Sequence, residues 1–303
     1  MEASITDFLN FLTLEKGFSG NTLAAYRNDL TQFFDFVHRP LGDAPGLSSW
    51  AAVTRPLVAA FVVSLKERGY APATVARKTA AVKSFFHFLL AEGAIGVDPT
   101  EGIDSPKVGR VLPRAISERE VDALLEQPGK LNTPEAMRDR AMLQLLYATG
   151  MRVTELVSLN LDDINLQAGY VRCLGRGPKE RLIPIHPEAA AAVADYLQGA
   201  RNQLLRRRHE PALFLNHRGE RLTRQGFWLI VKAYSKAANI ETEITPHTLR
   251  HTFAAHMLTS GADLRSLQEL LGHANISTTQ IYTHLANKRL EKAFSSAETR
   301  RAK

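Results

Sequence analysis

A stretch rich in glycine and proline, from Glu92 to Pro113, divides this chain of 303 residues into two parts. No helical or strand period continues through it, because Gly and Pro interrupt the pattern every few residues. One hydrophobic core rarely serves more than about 250–300 residues, so we predict two domains. The predicted units are a front domain over 1–106, a linker over 107–116, a main domain over 117–285 and a tail over 286–303.

The front part has the apolar periodicity of helices. Four amphipathic helices joined by short loops can bury one core, so we predict a four-helix domain. No group of acid, base and nucleophile stands out in it, which indicates a positioning module. The predicted helices run from Ile5 to Leu12, from a cap at Thr22 to Val37, from Pro56 to about Arg68, and from Thr74 to Leu90.

The main part combines helices with a short β-hairpin. Ser117 and Glu120 form a capping-box signature, and a strongly apolar helix follows Pro134 and ends at Gly150. We therefore predict a mainly α fold that includes a small β-sheet or hairpin. The other predicted elements are hairpin strands over 170–174 and 181–185 with a basic tip, a helix over 189–205, a short strand over 213–215, and a helix starting at Thr223.

The chain is basic, with a net charge of +7 and a pI of about 9.6, which favours a polyanionic partner. Residues 1–106 hold nine basic and eleven acidic residues, a net charge of −2, which leaves +9 for the rest. Seven basic residues of the front domain and linker are candidates for DNA phosphate contacts, although solvated surface positions explain them equally well. They are Lys66, Arg68, Arg77, Lys78, Lys83, Lys107 and Arg110.

Cysteine use and hydropathy limit where the protein is expected to act. The single cysteine, Cys173, excludes an internal disulfide framework and a cysteine-rich zinc site, which suits a reducing cytoplasm. The first residues lack the pattern of a secretory signal. The most apolar stretch, from Leu57 to Leu65, is too short to span a membrane. We expect a cytoplasmic protein without a membrane partner.

The stretch from Thr245 to Tyr282 concentrates the residue types that phosphodiester chemistry needs. A helix is predicted to start with Thr245 as its cap, which places His247 and Arg250 on one face near the helix N-terminus, where anions are favoured. A stop at Gly261 and a second helix from Asp263 to Gly272 follow. His273 comes directly after that helix, and a capping signature at Ser277 and Gln280 predicts a third helix, which carries Tyr282.

Arg152 is a second candidate for anion binding, just after the predicted helix end at Gly150. An arginine at a helix N-terminus opposes the dipole, so the position is unfavourable unless something compensates it. A bound anion, with Glu155 supporting the guanidinium, is one interpretation. An ordinary surface pair between Arg152 and Glu155 is the other.

These residues together suit a metal-free attack on a phosphodiester. Arg152 and Arg250 are able to neutralise the phosphate, His247 and His273 to supply hydrogen bonds or protons, and Tyr282 to act as nucleophile. The sequence shows no carboxylate cluster near the histidines, which disfavours a two-metal mechanism and predicts no metal or cofactor. A packing role for Tyr282 is the alternative, and His251 and His256 are expected to pack or hydrogen-bond within the fold.

The ordered motifs resemble the catalytic core of the tyrosine recombinases. The motifs are Ala148–Leu156, which contains Arg152, then His247-x-x-Arg250-His251, then Leu270-Leu271-Gly272-His273, with Tyr282 nine residues further on. The sequence from Leu270 to His284 is most similar to that of the Xer subgroup. The resemblance runs nearly end to end and implies that Arg152, His247, Arg250, His273 and Tyr282 are catalytic.

One position departs from the family pattern. The residue between the two glycines of the hairpin tip is a catalytic lysine in the Xer pattern, and here it is Arg176. Arginine stays protonated and is therefore a poor proton donor to a leaving alkoxide. Lys179, on the same tip, is the alternative acid, and the choice between Arg176 and Lys179 stays open.

The resemblance also implies a reaction, partners and a domain scheme. It implies a SAM-like N-terminal domain that grips DNA, cleavage through a 3′-phosphotyrosine, and rejoining without ATP. Four protomers, identical or of two kinds, act on two duplexes, with the tail of one docking on the next and a DNA-translocating motor as a further partner. Chromosome-dimer resolution at a dif-like site before cell division is the expected role. A mobile-element integrase, a DNA-binding protein without cleavage activity, and a metal nuclease are the alternatives.

Overall fold

The computed structural model describes residues 1–39, 46–106, 115–174, 180–207, 209–272 and Thr279. The chain divides into two compact units, Met1–Arg110 and Val111–Lys303. Each unit has its own hydrophobic core. Helices predominate among the described residues and a small antiparallel sheet accompanies them, so the predicted mainly α fold class is confirmed. Among these residues, no helix has the length and apolarity to cross a membrane.

The front unit is built from amphipathic helices around an aromatic core. Phe8, Phe33, Phe61 and Phe85 are fully buried, one from each helix, and the rings of Phe33 and Phe61 meet edge to face at 4.9 Å. Such contacts add to the hydrophobic stabilisation of the core. Its described helices are α1 (Glu2–Leu14), α2 (Gly20–His38), α3 (Arg55–Glu67) and α4 (Pro72–Ala91).

Two local features of this unit differ from the sequence prediction. Helix α2 is capped by Ser19, whose hydroxyl accepts the backbone N–H of Thr22, so the predicted cap at Thr22 is wrong. Both residues are cap formers, and Ser19 comes first. A 3₁₀ turn, Trp50–Ala52, was not predicted. It inserts the Trp50 ring into the aromatic core, and the indole N–H donates to the carbonyl of Met1 at 2.9 Å.

The second unit is organised around one buried helix. Helix α6 buries Met142, Leu143, Leu145 and Leu146 completely, as predicted for a helix covered on several sides. It ends at Gly150, whose φ of +58° closes the helix in the left-handed region. The helices of this unit are α5 (Glu118–Glu126), α6 (Pro134–Thr149), α7 (Val153–Ser158), α8 (Pro187–Asp195), α9 (Arg201–Leu204), α10 (Arg224–Ala237), α11 (Pro246–Thr259) and α12 (Leu264–Leu271).

A three-stranded antiparallel sheet packs in the same unit, in the order β1 (Ile164–Asn165), β2 (Tyr170–Leu174) and β3 (Glu180–Pro184). The pairing of Leu174 with Glu180 confirms the predicted hairpin strands. Strand β1 is only two residues long, so the sequence has no alternation of apolar and polar residues there that would have predicted a strand. The predicted strand over 213–215 is wrong, because Leu215 forms only an isolated bridge to Arg221.

The helix predicted over 189–205 has a π-helical segment, Tyr196–Ala200, between α8 and α9. Apolar residues keep their helical spacing through this π-helical segment. The sequence therefore predicts one continuous helix.

Helices α11 and α12 begin and end as predicted. Thr245 and Asp263 cap them through side-chain oxygens that accept backbone N–H groups. Helix α12 ends at Gly272, where φ is +62°. Phe253, Leu267 and Leu271 pack the two helices together, which brings the end of α12 close to the start of α11. The predicted helices over 277–282 and 286–295 lie outside the described residues.

Candidate active site

Three of the predicted catalytic residues lie in the described part of the chain: Arg152, His247 and Arg250. The other four, Arg176, Lys179, His273 and Tyr282, lie outside the described residues. The contacts of the first three therefore define the geometry of the candidate site.

Arg152 is the N-cap residue of α7 and directly precedes its first helical residue, Val153. Its backbone N–H donates to Oε2 of Glu155 at 2.6 Å, and its Nη1 donates to Oε1 at 3.1 Å. Glu155 is not part of an ordinary surface pair, because its side chain is only 8% exposed. The Arg152 side chain is 38% exposed, so it stays accessible while Glu155 fixes its position.

Arg250 joins the ends of two helices. It lies on the first turns of α11 and is buried, with 5% exposure. Its Nη1 donates to the carbonyl of Gly150 at the end of α6, and its Nη2 donates to the carbonyl of Leu271 at the end of α12. Gly150 has room only for a hydrogen, since a Cβ there would lie 2.2 Å from the Phe253 ring.

Arg181 on strand β3 belongs to the same cluster, and the sequence analysis did not identify it as a site residue. Its Nη1 and Nη2 donate to Oε1 and Oε2 of Glu155 at 2.9 and 2.8 Å, and its Nε donates to the carbonyl of Leu270 at 3.0 Å. A signal was present in the strand alternation. Ile183 points inward and Leu182 is exposed, so Arg181 occupies an inward position that normally holds an apolar residue.

The C-terminus of α12 therefore accepts hydrogen bonds from three arginines at three successive carbonyls. Arg181 contacts Leu270, Arg250 contacts Leu271, and Arg152 contacts Gly272 at 3.0 Å. The last carbonyls of a helix lack partners within the helix and carry the negative end of its dipole. Cations at this end stabilise the helix and are held in place by it.

Electrostatics favour the charged forms in this cluster. Burial alone would raise the pKa of Glu155, but hydrogen bonds from Arg181 and Arg152 and their charges outweigh burial and lower this pKa below 4.5. Burial would lower the pKa of Arg181, and the contact with Glu155 raises it instead. Arg152, Arg181 and Arg250 with one carboxylate give the cluster a net charge of +2.

His247 is exposed and borders a cleft of about 510 Å³, which Arg224 and Trp228 of α10 also line. Burial of part of the ring, together with the charges of Arg224 and Arg250, lowers the pKa of His247 below 6.5. This shift favours the neutral imidazole, in which one ring nitrogen donates a hydrogen bond and the other accepts one. The sequence analysis did not single out Arg224, because only the fold brings the start of α10 next to His247.

Two further histidines, His251 and His256, lie on α11. His256 is buried between the Tyr147 hydroxyl, at 2.7 Å, and the carbonyl of Ile116, at 3.2 Å, which confirms its predicted structural role. Burial, followed by the charges of His247 and Arg250, lowers the pKa of His251 to about 4. Within the described residues, no group of three or more His, Cys, Asp or Glu side chains is placed to hold a metal ion.

Some of the residues predicted to contact DNA in the front unit are exposed, and one is buried. Lys66, Arg68 and Arg77 are exposed and Lys83 is half-buried. Lys78 is a correction: its side chain is 4% exposed and its Nζ lies 2.9 Å from Oδ1 of the fully buried Asp29. The lysine neutralises that acid inside the core and does not present its charge to a phosphate. Lys107 and Arg110 lie outside the described residues.

Comparison with known proteins assigns the chain to a family. Residues 114–289 match the phage integrase family, and residues 5–93 match the N-terminal SAM-like domain of phage integrases. A tyrosine recombinase XerC of Herpetosiphon aurantiacus is 53% identical over 98% of this chain and 95% of its own length. A tyrosine recombinase XerD of Oceanobacillus iheyensis is 45% identical over 99% of both chains.

Solved structures agree at the level of the fold. A XerH site-specific recombinase bound to a palindromic difH substrate aligns with a TM-score of 0.75 at 24% identity, over 98% of this chain and 90% of that one. The XerA recombinase aligns with a TM-score of 0.54 at 28% identity, over 98% of both chains. The chain therefore belongs to the phage integrase family of tyrosine recombinases, enzymes that cleave and rejoin DNA.

Proposed function

We propose that this protein is a site-specific recombinase that cleaves one DNA strand with Tyr282 and holds it as a 3′-phosphotyrosine. The observation that carries the proposal is the convergence of Arg152 and Arg250, nearly a hundred residues apart, on successive carbonyls at the end of α12. His273 follows that helix end directly in the sequence, and Tyr282 comes nine residues later.

The arginines suit an anionic reacting group. Attack by an oxyanion on a phosphodiester is opposed by charge, and fixed cations lower that barrier because they need no reorganisation. A guanidinium carries five N–H donors. The side-chain contacts that Arg152 makes among the described residues use two of them. Three remain for phosphate oxygens.

The proposed reaction conserves the phosphodiester bond energy. The Tyr282 hydroxyl loses its proton to His247 or His273 and its oxygen attacks phosphorus. The bond to the 5′ oxygen breaks, and Arg176 or Lys179 supplies the proton that the leaving oxygen takes. His247 contributes a hydrogen bond or a proton transfer at the phosphate. A 5′ hydroxyl from the partner duplex then displaces the tyrosine, so ATP is not needed. Two such exchanges by four protomers pass through a Holliday junction.

The biological role that we propose is resolution of chromosome dimers at a dif-like site in the cytoplasm. Relatives named XerC and XerD support it, because they align over nearly the whole chain. The XerH structure bound to difH substrate supports a DNA site of this kind. A second recombinase of the same type and a DNA-translocating motor are the proposed partners. We also propose that the N-terminal domain ends at residue 106 and that the catalytic domain begins at residue 117.

Covalent trapping tests the chemistry. The protein is incubated in EDTA with a nicked duplex that carries a candidate recombination site, and adducts are resolved under denaturing conditions. We expect an adduct with the wild type and none with Tyr282→Phe. Of Arg176→Ala and Lys179→Ala, the variant that slows cleavage more identifies the acid. An adduct that persists in Tyr282→Phe would contradict the proposal.

One sequence feature favours a second candidate function, a DNA-binding protein that does not cleave. Arg176 replaces the family lysine, and arginine is a poor acid. In that case the wild type binds the duplex without forming an adduct, and Arg176→Lys is expected to restore adduct formation.

A further inference from the structure

Glu155 serves two arginines at once. Both of its carboxylate oxygens accept from Arg181, at 2.9 and 2.8 Å. The same oxygens accept from the side chain and the backbone of Arg152, at 3.1 and 2.6 Å. Arg181 is itself largely buried, with a side chain that is 15% exposed, whereas Arg152 is the more exposed of the two arginines. The cluster thus has an inner arginine, a shared acid and an outer arginine.

The charge balance of this cluster depends on the inner arginine. Without Arg181, Glu155 and Arg152 would form a neutral pair, and a phosphate would meet little net charge there. With Arg181 present, the negative charge of Glu155 is already compensated, and the group of three keeps a charge of +1. Because the acid is buried, its field is poorly screened by water and acts strongly on Arg152.

Arg181 also fixes the position of the helix end on which the catalytic arginines rest. Its Nε donates to the carbonyl of Leu270, one residue before the carbonyl that Arg250 binds and two before the one that Arg152 binds. Strand β3 is thereby attached to α12 directly beside Gly272. A Cβ at Gly272 would approach Nη1 of Arg181 to 3.0 Å, which shows how closely the helix end and this side chain fit.

We infer that Arg181 is a positioning residue for DNA cleavage, which compensates the charge of Glu155 and holds the end of α12 so that Arg152 presents its positive charge to the scissile phosphate. This inference rests on the proposed function, because it assigns Arg181 a part in that cleavage step. A residue that merely stabilises the sheet would affect folding, whereas this one acts on the rate of the chemical step.

The test measures adduct formation by the full-length protein on the nicked duplex, in single turnover at saturating protein, with duplex affinity and thermal stability measured in parallel. Arg181→Gln keeps hydrogen-bond donors and loses the charge. We expect its rate constant to fall on the order of 10- to 100-fold, since removal of one preorganised donor from a charged transition state has effects of that size or larger. The dissociation constant for the duplex should change less than about threefold, because Arg152 still carries its own charge.

Rescue separates charge compensation from simple structural support. Adding Glu155→Gln to Arg181→Gln removes the uncompensated negative charge, and we expect the rate constant to recover about 10-fold relative to Arg181→Gln alone. Arg181→Lys keeps the charge without the bidentate geometry and should give an intermediate rate. Arg172→Gln is the matched control, because it breaks an arginine–carboxylate pair with Asp163 from the neighbouring strand β2. We expect it to cleave within about threefold of the wild type, because the side-chain hydrogen bonds of Arg172 go to Asp162 and Asp163 and not to the end of α12.

The outcomes are distinguishable. Absence of a Tyr282-dependent adduct in the wild type overturns the proposed function and this inference with it. A wild-type rate constant in Arg181→Gln overturns the inference alone, as does a slow Arg181→Gln whose rate the second substitution does not raise. If Arg181→Gln does not fold, the double variant decides, because it restores the charge balance. It should cleave within about 10-fold of the wild type, and a folded double variant without adduct overturns the inference.

Discussion

At the scale of single residues, each unit holds a buried acid that two basic side chains share. In the front unit, Asp29 is completely buried and Lys78 lies beside it, with Lys78 Nζ also 5.4 Å from the centre of the Tyr70 ring. Asp29 is shared, because the guanidinium of Arg77 also contacts its Oδ2, and the Arg77 side chain is 47% exposed. In the second unit, Glu155 is shared in the same way between the inner Arg181 and the more exposed Arg152.

The Asp29–Lys78 pair predicts a strong asymmetry between single and double substitution. Asp29→Asn leaves the Lys78 ammonium buried without its counter-ion and should lower the free energy of unfolding of the front unit by about 3–5 kcal/mol. Lys78→Met in addition removes that charge and should recover most of the loss. Urea unfolding followed by Trp50 fluorescence, in a Trp228→Phe background, reports on this unit alone. Equal stability of the single and double variants would contradict the assignment.

Glu155 predicts a pH-dependent contribution to stability. Its pKa is lowered in the folded protein, so the unfolded state binds a proton more readily than the folded state does. The stabilisation is therefore fully present above about pH 4.5, the ordinary value, and is lost as the pH falls through the lower folded pKa. We expect Glu155→Gln to be less stable than the wild type by roughly 1–3 kcal/mol at pH 7. The difference should shrink towards pH 3, and a difference that does not depend on pH would contradict this account.

At the scale of secondary-structure elements, the candidate site lies where the ends of four helices come close together. Helix α6 ends at Gly150, α7 begins at Arg152, α11 carries Arg250 on its first turns, and α12 ends at Gly272. Carbonyls left unpaired at two helix C-termini orient the guanidinium groups. The arginine side chains at these helix ends are thereby fixed by backbone atoms, whose positions depend on the packing of the helices.

Gly272 predicts a loss of cleavage that exceeds the loss of stability. Gly272→Ala places a methyl group about 3.0 Å from Arg181 Nη1 and in a left-handed conformation. Gly261→Ala is the matched control, because its φ is +93° and nothing lies within 4 Å of the added carbon. Both should cost about 1 kcal/mol through backbone strain. Only Gly272→Ala should slow adduct formation, by roughly 10-fold, and equal rates in the two variants would show that the fit to Arg181 is unimportant.

The sequence could predict those features of the secondary-structure elements that depend on neighbouring residues. The caps at Ser117, Thr245 and Asp263 and the stop at Gly272 depend on residues within one helical turn, so local patterns were sufficient. The contact of Arg181 with Leu270 joins residues 89 positions apart, and no local pattern records it. Ser19 and Thr22 are both cap formers, so the local pattern did not decide between them, and the π-helical segment interrupts otherwise ordinary helical spacing. The motifs predicted Arg152 and Arg250 as site residues, but not the helix end that orients them.

At the scale of the whole molecule, charge is distributed to suit a DNA partner. Residues 1–106 carry a net charge of −2, although three of their predicted DNA-contact residues, Lys66, Arg68 and Arg77, are exposed. The remaining residues carry +9 and contain the arginine cluster at the end of α12. Affinity for duplex DNA is therefore expected to depend mainly on the second unit.

Duplex binding should weaken steeply with salt. Each phosphate that the protein neutralises releases condensed counter-ions and contributes about −0.9 to the slope of log K against log salt concentration. Lys66→Ala should make the slope less negative by about one if that residue contacts a phosphate, whereas Lys78→Met should leave it unchanged. Fluorescence anisotropy of a labelled duplex across salt concentrations measures both slopes. A nearly flat profile for the wild type would exclude duplex DNA as the main ligand.

The proposed reaction depends on Tyr282 as the nucleophile, and mass mapping of the trapped adduct identifies the residue that carries the DNA. After cleavage of a nicked duplex in EDTA, nuclease and trypsin digestion should leave a nucleotide on the peptide from Ser266 to Lys288, in which Tyr282 is the only tyrosine. The account predicts that fragment ions place the added mass on Tyr282 through a 3′ phosphate. Attachment to any other residue, or through a 5′ phosphate, would contradict it.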